Sequence, residues 1–515
     1  MLLHVAKERG VIEDVEVKPG HRLEDYEAYA HLSRAVDELR REAEPLVKAL
    51  SGRTVWMVNS TAKGGGVAEM LPRQVALLNE LGLQTRWCVI GTERTEFFDL
   101  TKRLHNAIHG AGAPSFSADD RALYETVGKE LAAELGPRLA PGDVLVVHDP
   151  QPAAMGARIR QSQDVVAIWR CHIGLDEENA QTQAAWKLLE PYLHEYDHGV
   201  FTAPEYIPHF LAGRSSLITP ALDPLTNKNR PLSAHRLTGI LCNAGLMLQH
   251  NPVLPGPFAK PALRLQPDGS FGPAVQPDEI GLLFRPTVTQ ISRWDRLKGW
   301  KPLLDAFTQL KQQYPALEEL SEVQKRRFSL CRLVLAGPEP AAVADDPEAK
   351  DVLEELIQGY VALPKDVQKD VVMLSLPMGS TRENALMVNA LQSCSSIVVQ
   401  NSVREGFGLT VTEPMLKGVP VLGSPACGIR QQIRDGIDGR LHHDASDPAV
   451  IATALVEMLN DPVGRADWGR HGQRRVYDEF LIFSQLRRWL RTLAAAVDRG
   501  SLTPPRPSKF PPSSR

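Results

Sequence analysis

The chain has 515 residues, of which 43% are hydrophobic and 23% are charged, and its formal net charge is −4. This length exceeds what one hydrophobic core supports, so the sequence predicts two domains of ordinary size. The balance of charge predicts no basic surface for nucleic acid or an anionic membrane, and no apolar run reaches the roughly 18 residues needed to cross a bilayer. Six widely spaced cysteines without a CxxC pair favour a reducing cytoplasm over a disulfide framework or a zinc site.

Short β-branched runs alternate with segments of helical period, which predicts parallel sheets with crossover helices. In the first half of the chain, strands are predicted at 54–59, 84–90, 143–149, 164–171 and 198–203. In the second half, strands are predicted at 287–294, 331–337, 370–375, 395–400 and 419–424. The sequence therefore predicts an α/β fold of two doubly wound, Rossmann-like domains, with ligands beyond the carboxyl ends of the strands in a cleft between the domains.

Composition sets the expected domain limits. We expect a first domain at 1–235, a Pro-rich linker or insertion at 236–285 and a second domain at 286–482. Residues 499–515 are rich in Pro and Ser, which predicts a disordered tail.

The most informative segment, 404–418, follows a predicted strand and carries Glu405 and Glu413. Gly406 and Gly408 allow a tight turn in which the backbone can come close to a ligand. After Gly408 the spacing becomes helical, so the segment predicts a strand, a turn and the start of a helix.

A helix start of this kind attracts phosphate through its first N–H groups, here those of Leu409 and Thr410. Glu413, about one turn along, can accept both hydroxyls of a ribose, and Glu405 would face a sugar. The alternative interpretation is two solvated glutamates beside an ordinary turn. The glycines and the strand–turn–helix context favour the ligand site.

Two basic residues follow the first predicted strand of the second domain, in the segment 291–300. Arg293 and Lys298 are spaced so that both can reach one diphosphate, on which fixed cations stabilise departing negative charge. The alternative is a basic pair on the surface, which the position at a strand end makes less favourable.

Three glycines in the segment 59–71 follow a strand and precede a helix, so they can form a backbone cradle for phosphate or sugar hydroxyls. The pattern is neither GxGxxG nor a P-loop, and an ordinary loop explains it equally well.

The segments HDPQ and WRCH also end strands of the first domain. Asp149 and Gln151 can bind sugar hydroxyls, and Trp169 or Trp186 can stack on a sugar face. His172 can contact a sugar or a leaving oxygen, although a lone histidine at a strand end is more often structural. No third ligand accompanies His172 and the adjacent cysteine, so the sequence predicts no metal site.

Together these segments resemble family-4 glycosyltransferases of the GT-B architecture, and most closely the trehalose glycosyltransferring synthases. Glu-x7-Glu is specific for the broad family, whereas HDPQ, WRCHI and DPLTNKN narrow the resemblance to the trehalose-forming branch. The matching stretches, which span most of 22–440 in order, are RLEDYE, VNSTAKGGGVAEML, FFDLTKRLHNAIHG, VVHDPQPAAM, WRCHIGLD, LEPYLHEYD, ITPALDPLTNKN, ISRWDRLKGW and REGFGLTVTEPMLKG.

The resemblance implies site roles residue by residue. The implied catalytic residues are Arg293 and Lys298 on the diphosphate, Glu405 on the transferred glucose, and His172 by the reacting centre. The implied donor-binding residues are Gly65, Gly66, Gly406, Phe407, Gly408, Leu409, Thr410 and Glu413. The implied acceptor-binding residues are Asp149, Gln151 and Arg170.

The resemblance also implies a reaction. The donor would be ADP-glucose or UDP-glucose, the acceptor glucose and the product trehalose, with retention of anomeric configuration and no obligatory cofactor, although a divalent cation such as Mg²⁺ can assist. The first domain would bind the acceptor and be completed by a helix at 483–498, and the second would bind the nucleotide sugar. A cytoplasmic enzyme that can form a homodimer fits this resemblance.

Three alternatives stay open. A retaining trehalose phosphorylase would bind orthophosphate where the donor's phosphate lies, but the helix-start context of Glu413 favours a nucleotide. Another sugar acceptor is open because the residues after His172 depart from the family's Asp-Leu-Ser. A non-catalytic sugar- or nucleotide-binding protein is disfavoured by the joint presence of Arg293, Lys298 and Glu405.

Overall fold

A computed structural model gives the structure of the chain in two compact units. The first unit comprises Met1–Ala221 and Ile482–Arg515, and the second comprises Leu222–Leu481. The described residues are 12–17, 20–62, 66–248, 258–274, 280–314, 318–339 and 348–500. From residue 501 onward, the predicted tail lies outside the described residues.

Seven strands form one sheet in the described part of the first unit. They are β1 (Ile12–Asp14), β2 (Val55–Asn59), β3 (Thr85–Ile90), β4 (Val144–His148), β5 (Val166–Arg170), β6 (His198–Phe201) and β7 (Ser215–Leu217). Their order is β1-β3-β2-β4-β5-β6-β7, and all neighbours are parallel except β1, which is antiparallel to β3. Strands β2, β4, β5 and β6 are buried along their whole length, which explains their mostly apolar sequences.

Helices of the first unit connect these strands. They are α1 (Leu23–Glu27), α2 (Ala30–Ala49), α3 (Gly66–Glu80), α4 (Thr95–Ile108), α5 (Ala118–Leu135), α6 (Ala153–Ser162) and α7 (Ala180–Leu193). Polar side chains cap the N-termini of two of these helices. The Ser117 hydroxyl accepts a hydrogen bond from the N–H of Asp120, and the Asn179 side chain accepts one from the N–H of Thr182, so each cap satisfies a donor that the helix leaves unpaired.

Eight strands form the sheet in the described part of the second unit. They are β8 (Leu263–Leu265), β9 (Phe271–Gly272), β10 (Thr287–Ile291), β11 (Arg332–Pro338), β12 (Val371–Leu376), β13 (Ile397–Gln400), β14 (Val421–Gly423) and β15 (Arg440–Leu441). Their order is β15-β14-β13-β10-β11-β12-β8-β9, with parallel pairing except at β8 and β9.

Helices cover both faces of this sheet. They are α8 (Ala234–Asn243), α9 (Trp300–Gln313), α10 (Glu322–Leu330), α11 (Ala349–Val361), α12 (Lys365–Gln368), α13 (Thr381–Ser393), α14 (Leu409–Leu416), α15 (Cys427–Arg430), α16 (Pro448–Asn460) and α17 (Pro462–Arg475). On β11, Leu333 and Leu335 pack in a hydrophobic cluster with α9, α11 and α16, whereas Val334 and Ala336 pack in another with α8 and α13. Successive side chains of β11 point to opposite faces of the sheet, so this one strand contributes residues to both clusters.

The segment predicted as a linker, 236–285, is part of the second unit. It contributes α8, which packs against α13, and β8, which pairs antiparallel with β12. The preceding residues, 222–235, also belong to this unit rather than to the first domain as predicted. Prolines and glycines in the sequence indicate loops, but they carry no signal that a short strand will pair at the edge of a distant sheet.

The last described helix, α18 (Ile482–Gly500), belongs to the first unit. It packs against α2 and buries Trp489 and Leu490, and Arg487 Nη1 lies 3.1 Å from Glu38 Oε2 of α2. Across the described ranges, no helix combines the length and the apolar character that crossing a membrane requires.

Replacing Leu490 with Ala tests the contribution of α18 to the first unit. Leu490 is fully buried, so the substitution leaves a cavity and should lower the free energy of unfolding by about 2–5 kcal/mol in urea denaturation. The control is Leu217→Ala, whose side chain is 43% exposed and which should change it by less than about 0.5 kcal/mol. Equal effects of the two substitutions would contradict the packing of α18.

Candidate active site

An ion pair joins two of the predicted site residues at the carboxyl edge of the second sheet. Lys298 ends a 3-10 turn after β10, and its Nζ lies 2.6 Å from Oε2 of Glu405, which follows the neighbouring parallel strand β13. Only 15% of the Lys298 side chain and 13% of the Glu405 side chain are exposed. Gly299 ends the turn with a φ of 61°, and a Cβ there would overlap the carbonyl oxygen of Asn401. Glycine is therefore required next to the cation.

The Glu405 carboxylate is held by further donors from the end of β13. Its Oε2 accepts hydrogen bonds from Ser402 Oγ at 3.0 Å and from Gln400 Nε2 at 3.4 Å. With the Lys298 ammonium, these donors fix the position of that oxygen.

The turn between Glu405 and α14 is shaped by two glycines and one glutamine. Gly408, at φ 83°, occupies the left-handed region directly before α14. The N–H of Gly428 donates to the Glu405 carbonyl at 3.0 Å, and a Cβ on Gly428 would lie 2.5 Å from the backbone nitrogen of Phe407. Gln432 Nε2 donates to the carbonyls of Phe407, Gly408 and Gly428. No pattern in the sequence indicated that Gln432 would secure this turn.

The start of α14 has the form expected of an anion site. Leu409 and Thr410 are its first residues, and helices leave the N–H groups of such residues without an intrahelical acceptor. The Thr410 hydroxyl donates to Gln400 Oε1 at 2.9 Å. A Cβ on Gly406 would meet no atom of the described residues within 4 Å.

Glu413 lies on α14, and only 5% of its side chain is exposed. Its Oε2 accepts a hydrogen bond from Gln392 Nε2 at 2.9 Å, and its Oε1 lies 3.6 Å from Lys228 Nζ. Lys417 Nζ donates to the backbone carbonyl of Glu413 at 3.1 Å, and burial lowers the pKa of Lys417 to about 8. The carboxylate is therefore an oriented group and not a solvated one.

Arg293 is more exposed than Lys298. Its side chain is 59% exposed, and its Nη2 lies 3.6 Å from the Asp295 carboxylate. Its backbone carbonyl accepts a hydrogen bond from Trp300 Nε1 at 3.1 Å, which fixes the start of the turn after β10. The two predicted cations thus follow the same strand in different environments.

In the first unit, Asp149 follows β4 in a strained conformation. Its φ is 62°, and it is the one non-glycine residue with positive φ in the part of the chain that the structure describes. Its Oδ1 accepts a hydrogen bond from the N–H of His172 at 2.9 Å, and its carbonyl accepts one from Trp169 Nε1 at 2.9 Å. Burial raises the pKa of the carboxyl from 3.8 to about 6. Such strain and desolvation together mark functional sites.

His172 pairs with a second histidine. His148 Nδ1 lies 3.0 Å from His172 Nε2, and His148 Nε2 lies 3.5 Å from Met57 Sδ. Burial lowers the pKa of His148 to about 3 and that of His172 well below its usual value, so both rings are neutral near pH 7. Because a thioether sulfur only accepts, the chain of contacts favours Nε2–H on both rings and leaves His172 Nδ1 as an acceptor. That atom is buried without a hydrogen-bond partner among the described residues.

Arg170 was predicted to bind the acceptor, and its position corrects this assignment. The side chain is almost completely buried, and its Nη2 donates to the Ile218 carbonyl at 2.7 Å and to Thr202 Oγ1 at 3.2 Å. The guanidinium therefore supports the strand ends from inside the unit. Trp169 is also fully buried, so it cannot stack on a sugar.

The remaining predicted site residues of the first unit are Gln151, Gly65 and Gly66. Gln151 follows Asp149, and its Oε1 is buried without a hydrogen-bond partner within the described ranges. Gly66 is the first residue of α3 and is exposed, whereas Gly65 lies outside the described residues. The described residues contain no group of three or more His, Cys, Asp or Glu that could hold a metal ion.

Comparison with known proteins shows similarity in both units. Residues 57–208 match the family described as trehalose synthase, N-terminal domain, and residues 283–475 match glycosyl transferases group 1. A trehalose synthase of Pyrococcus horikoshii is 31% identical over 478 residues, which cover 92% of this chain and 96% of that protein. A trehalose phosphorylase of Pleurotus pulmonarius is 25% identical over 516 residues, which cover 94% of this chain and 62% of that protein.

A solved alpha,alpha-trehalose-phosphate synthase (UDP-forming) from Burkholderia vietnamiensis has the same fold. Its TM-score is 0.58 at 16% identity, with 87% of this chain and all of that chain covered. The α/β fold with two Rossmann-like domains that the sequence predicted is therefore confirmed, and it is that of the GT-B glycosyltransferases. Within this class, the chain belongs to the trehalose synthase family, and it is a trehalose-related glycosyltransferase.

Replacing Asp149 with Asn should change stability in a pH-dependent way. The raised pKa means that the native state loses stability as pH rises from about 4 through about 6, where the carboxyl must ionise in a buried position. Asn keeps the acceptor oxygen and tolerates positive φ without ionising, so the variant should exceed the parent in stability by on the order of 1–3 kcal/mol at pH 8. The measurement is the free energy of unfolding between pH 4 and pH 8.

Asp164→Asn is the control, because Asp164 is exposed in the same unit. A stability difference between Asp149→Asn and the parent that stays constant over this pH range would show that burial does not raise the pKa of Asp149.

Proposed function

We propose that the enzyme transfers a glucosyl unit from a nucleoside diphosphate glucose to glucose, with retention of configuration, to form trehalose. The observation that carries this proposal is the Lys298–Glu405 ion pair at the start of α14. It brings a cation, a carboxylate and unpaired N–H groups to one strand edge, in the region that matches glycosyl transferases group 1. The UDP-forming activity named for the Burkholderia structure supports a nucleoside diphosphate as the leaving group.

The second unit would bind the donor. Lys298 and Arg293 would hold the diphosphate together with the N–H groups of Leu409 and Thr410, because phosphate favours a helix N-terminus and fixed cations. An ammonium has three donors, so Lys298 can bind a phosphate oxygen while it keeps Glu405. Cations at this point stabilise charge that grows as the diphosphate leaves, which lowers the barrier.

The carboxylates would bind the hydroxyls of the donor. Glu405 would contact the transferred glucose, and Glu413 would accept the two ribose hydroxyls. Both carboxylates are held by neighbouring donors, so little reorganisation is needed when these hydroxyls arrive. The turn Gly406–Gly408 would let the backbone approach the donor closely.

The first unit would supply polar groups for the two sugars. His172, with Nδ1 as an acceptor, would contact a hydroxyl of the transferred glucose, and Asp149 and Gln151 would bind the acceptor sugar. Arg170 would support these groups without touching the sugar. Gly66, at the start of α3, would approach a ligand through its backbone, and a Cβ there would meet no atom of the described residues within 4 Å.

The reaction balances without a protein nucleophile. The bond between the glucosyl C1 and the phosphate oxygen breaks, and a bond from C1 to the acceptor oxygen forms on the same face. The acceptor's proton passes to an oxygen of the leaving diphosphate. No resident metal is required, although Mg²⁺ can assist by neutralising the diphosphate.

A donor-by-acceptor assay tests this function. ADP-glucose or UDP-glucose with glucose should yield trehalose and the corresponding nucleoside diphosphate, and the anomeric coupling constants in NMR spectra report retention. Trehalose with phosphate should yield no glucose 1-phosphate. Its formation would instead identify a phosphorylase, an outcome to which the Pleurotus relative draws attention. Binding of donor without any turnover would contradict the enzymatic proposal.

Replacing Lys298 with Ala, or Glu405 with Ala, should lower turnover roughly 100-fold or more, the scale of losing one preorganised charge-stabilising group. The matched control is Lys301→Ala, because Lys301 is an exposed lysine near the same turn and pairs only along its helix with Asp305 in the described contacts. Steady-state kinetics on well-folded variants, checked by thermal unfolding, give the result. Near-normal turnover in the Lys298 and Glu405 variants would show that these residues do not have the proposed roles.

A further inference from the structure

The DPLTNKN segment, which sets the chain apart within its broad family, has no role in the function described above. Its lysine, Lys228, lies 3.6 Å from Oε1 of Glu413, a distance that makes an ion pair. The other carboxylate oxygen, Oε2, accepts a hydrogen bond from Gln392 Nε2 at 2.9 Å. Each oxygen of Glu413 therefore has its own partner, from a different element, and the plane of the carboxylate is defined.

The loop that carries Lys228 is itself fixed. Asn229 Nδ2 donates to the Asp223 carbonyl at 3.0 Å and so closes the loop on itself. Asn389, a fully buried residue of α13, donates from Nδ2 to the carbonyls of Asn227 and Arg230, both at 2.9 Å. These bonds hold the backbone on both sides of Lys228, so little conformational freedom is lost when the ammonium meets the carboxylate.

Burial makes this cation important for Glu413. Only 5% of the Glu413 side chain is exposed, against 41% of the Lys228 side chain. A buried carboxylate without a partner is strongly disfavoured, and Lys228, which reaches it from the surface, is the partner of Oε1. Lys417 is also nearby, and its Nζ donates to the backbone carbonyl of Glu413.

We propose that Lys228 is a positioning residue for nucleotide binding, and that it orients the Glu413 carboxylate to accept the two ribose hydroxyls. This inference rests on the proposed function, because it requires a nucleoside diphosphate at the start of α14. It assigns the DPLTNKN segment to recognition of the ribose and not to the sugar that is transferred.

If Lys228 acts only on ribose binding, its loss should change KM for the donor and leave kcat nearly unchanged. Contacts to the ribose are equal in the ground state and the transition state, so losing them raises KM and leaves kcat nearly unchanged. Lys228→Met should raise KM for the donor about tenfold, the effect of about 1.4 kcal/mol. Lys228→Arg keeps a cation and should recover most of the loss. The control is Lys350→Met, an exposed lysine of the same unit.

Nucleotides without ribose hydroxyls give the decisive measurement. Calorimetry would compare the binding of ADP or UDP, whichever binds more tightly, with that of its 2′,3′-dideoxy analogue. Lys228→Met should weaken binding of the parent nucleotide about tenfold but weaken binding of the dideoxy analogue less than about twofold, because the hydroxyls that Glu413 accepts are already absent.

The outcomes separate the inference from the function on which it rests. Equal weakening of both nucleotides by Lys228→Met would overturn the positioning role, since Lys228 would then act on the phosphates or on the fold. Loss of kcat without a change in KM would overturn it as well. If the unmodified enzyme binds neither ADP nor UDP, the proposed function itself fails, a result distinct from equal weakening.

Discussion

The second-unit site depends on the Lys298–Glu405 ion pair, because this contact joins the turns that follow two neighbouring parallel strands. With only small fractions of both side chains exposed, the Coulomb attraction of the pair is screened less by solvent than that of a surface contact. The glycines at 299, 408 and 428 are steric requirements of the same contact, since each lets the backbone pass where a side chain would collide. The position of the charged pair therefore depends on the backbone conformation that these glycines allow.

The polar groups of the first unit differ in kind. His148 and His172 are buried and neutral near pH 7, and the buried Arg170 guanidinium offsets the charge that the Asp149 carboxylate carries above a pH of about 6, so the net charge there is small. This contrast matches the chemistry proposed for the two units. A diphosphate requires fixed cations, whereas a glucosyl unit and a sugar acceptor are uncharged and are recognised by directional hydrogen bonds.

Much of this arrangement was predictable from the sequence, because buried parallel strands have a distinctive composition. All ten predicted strands are present, with ends that differ by at most three residues. The strands that were missed, such as β8 and β9, are short and lie at an edge, where hydrophobic periodicity has too few residues to be seen. The pairing of Lys298 with Glu405 was not predicted, although both residues were assigned to the site, because residues 107 positions apart reveal their contact only in the folded sheet.

Errors at the site have a common physical cause. Arg170 was assigned to the acceptor because it ends a strand beside polar residues, yet side chains alternate across a strand and its guanidinium points into the unit. Gln432 and Lys228 were not assigned, because their partners are backbone carbonyls and a carboxylate on other elements. Sequence position identifies which loops border a site, but the direction of each side chain depends on packing.

The return of α18 to the first unit affects how the chain matures during translation. The second unit is continuous, whereas the first remains without Trp489 and Leu490 until the end of α18 has been made. Synthesis of residues 222–481 takes roughly 13–50 s at about 5–20 residues per second. Throughout that time α2 lacks its contact with α18, so the first unit completes its packing only after the second unit has been made.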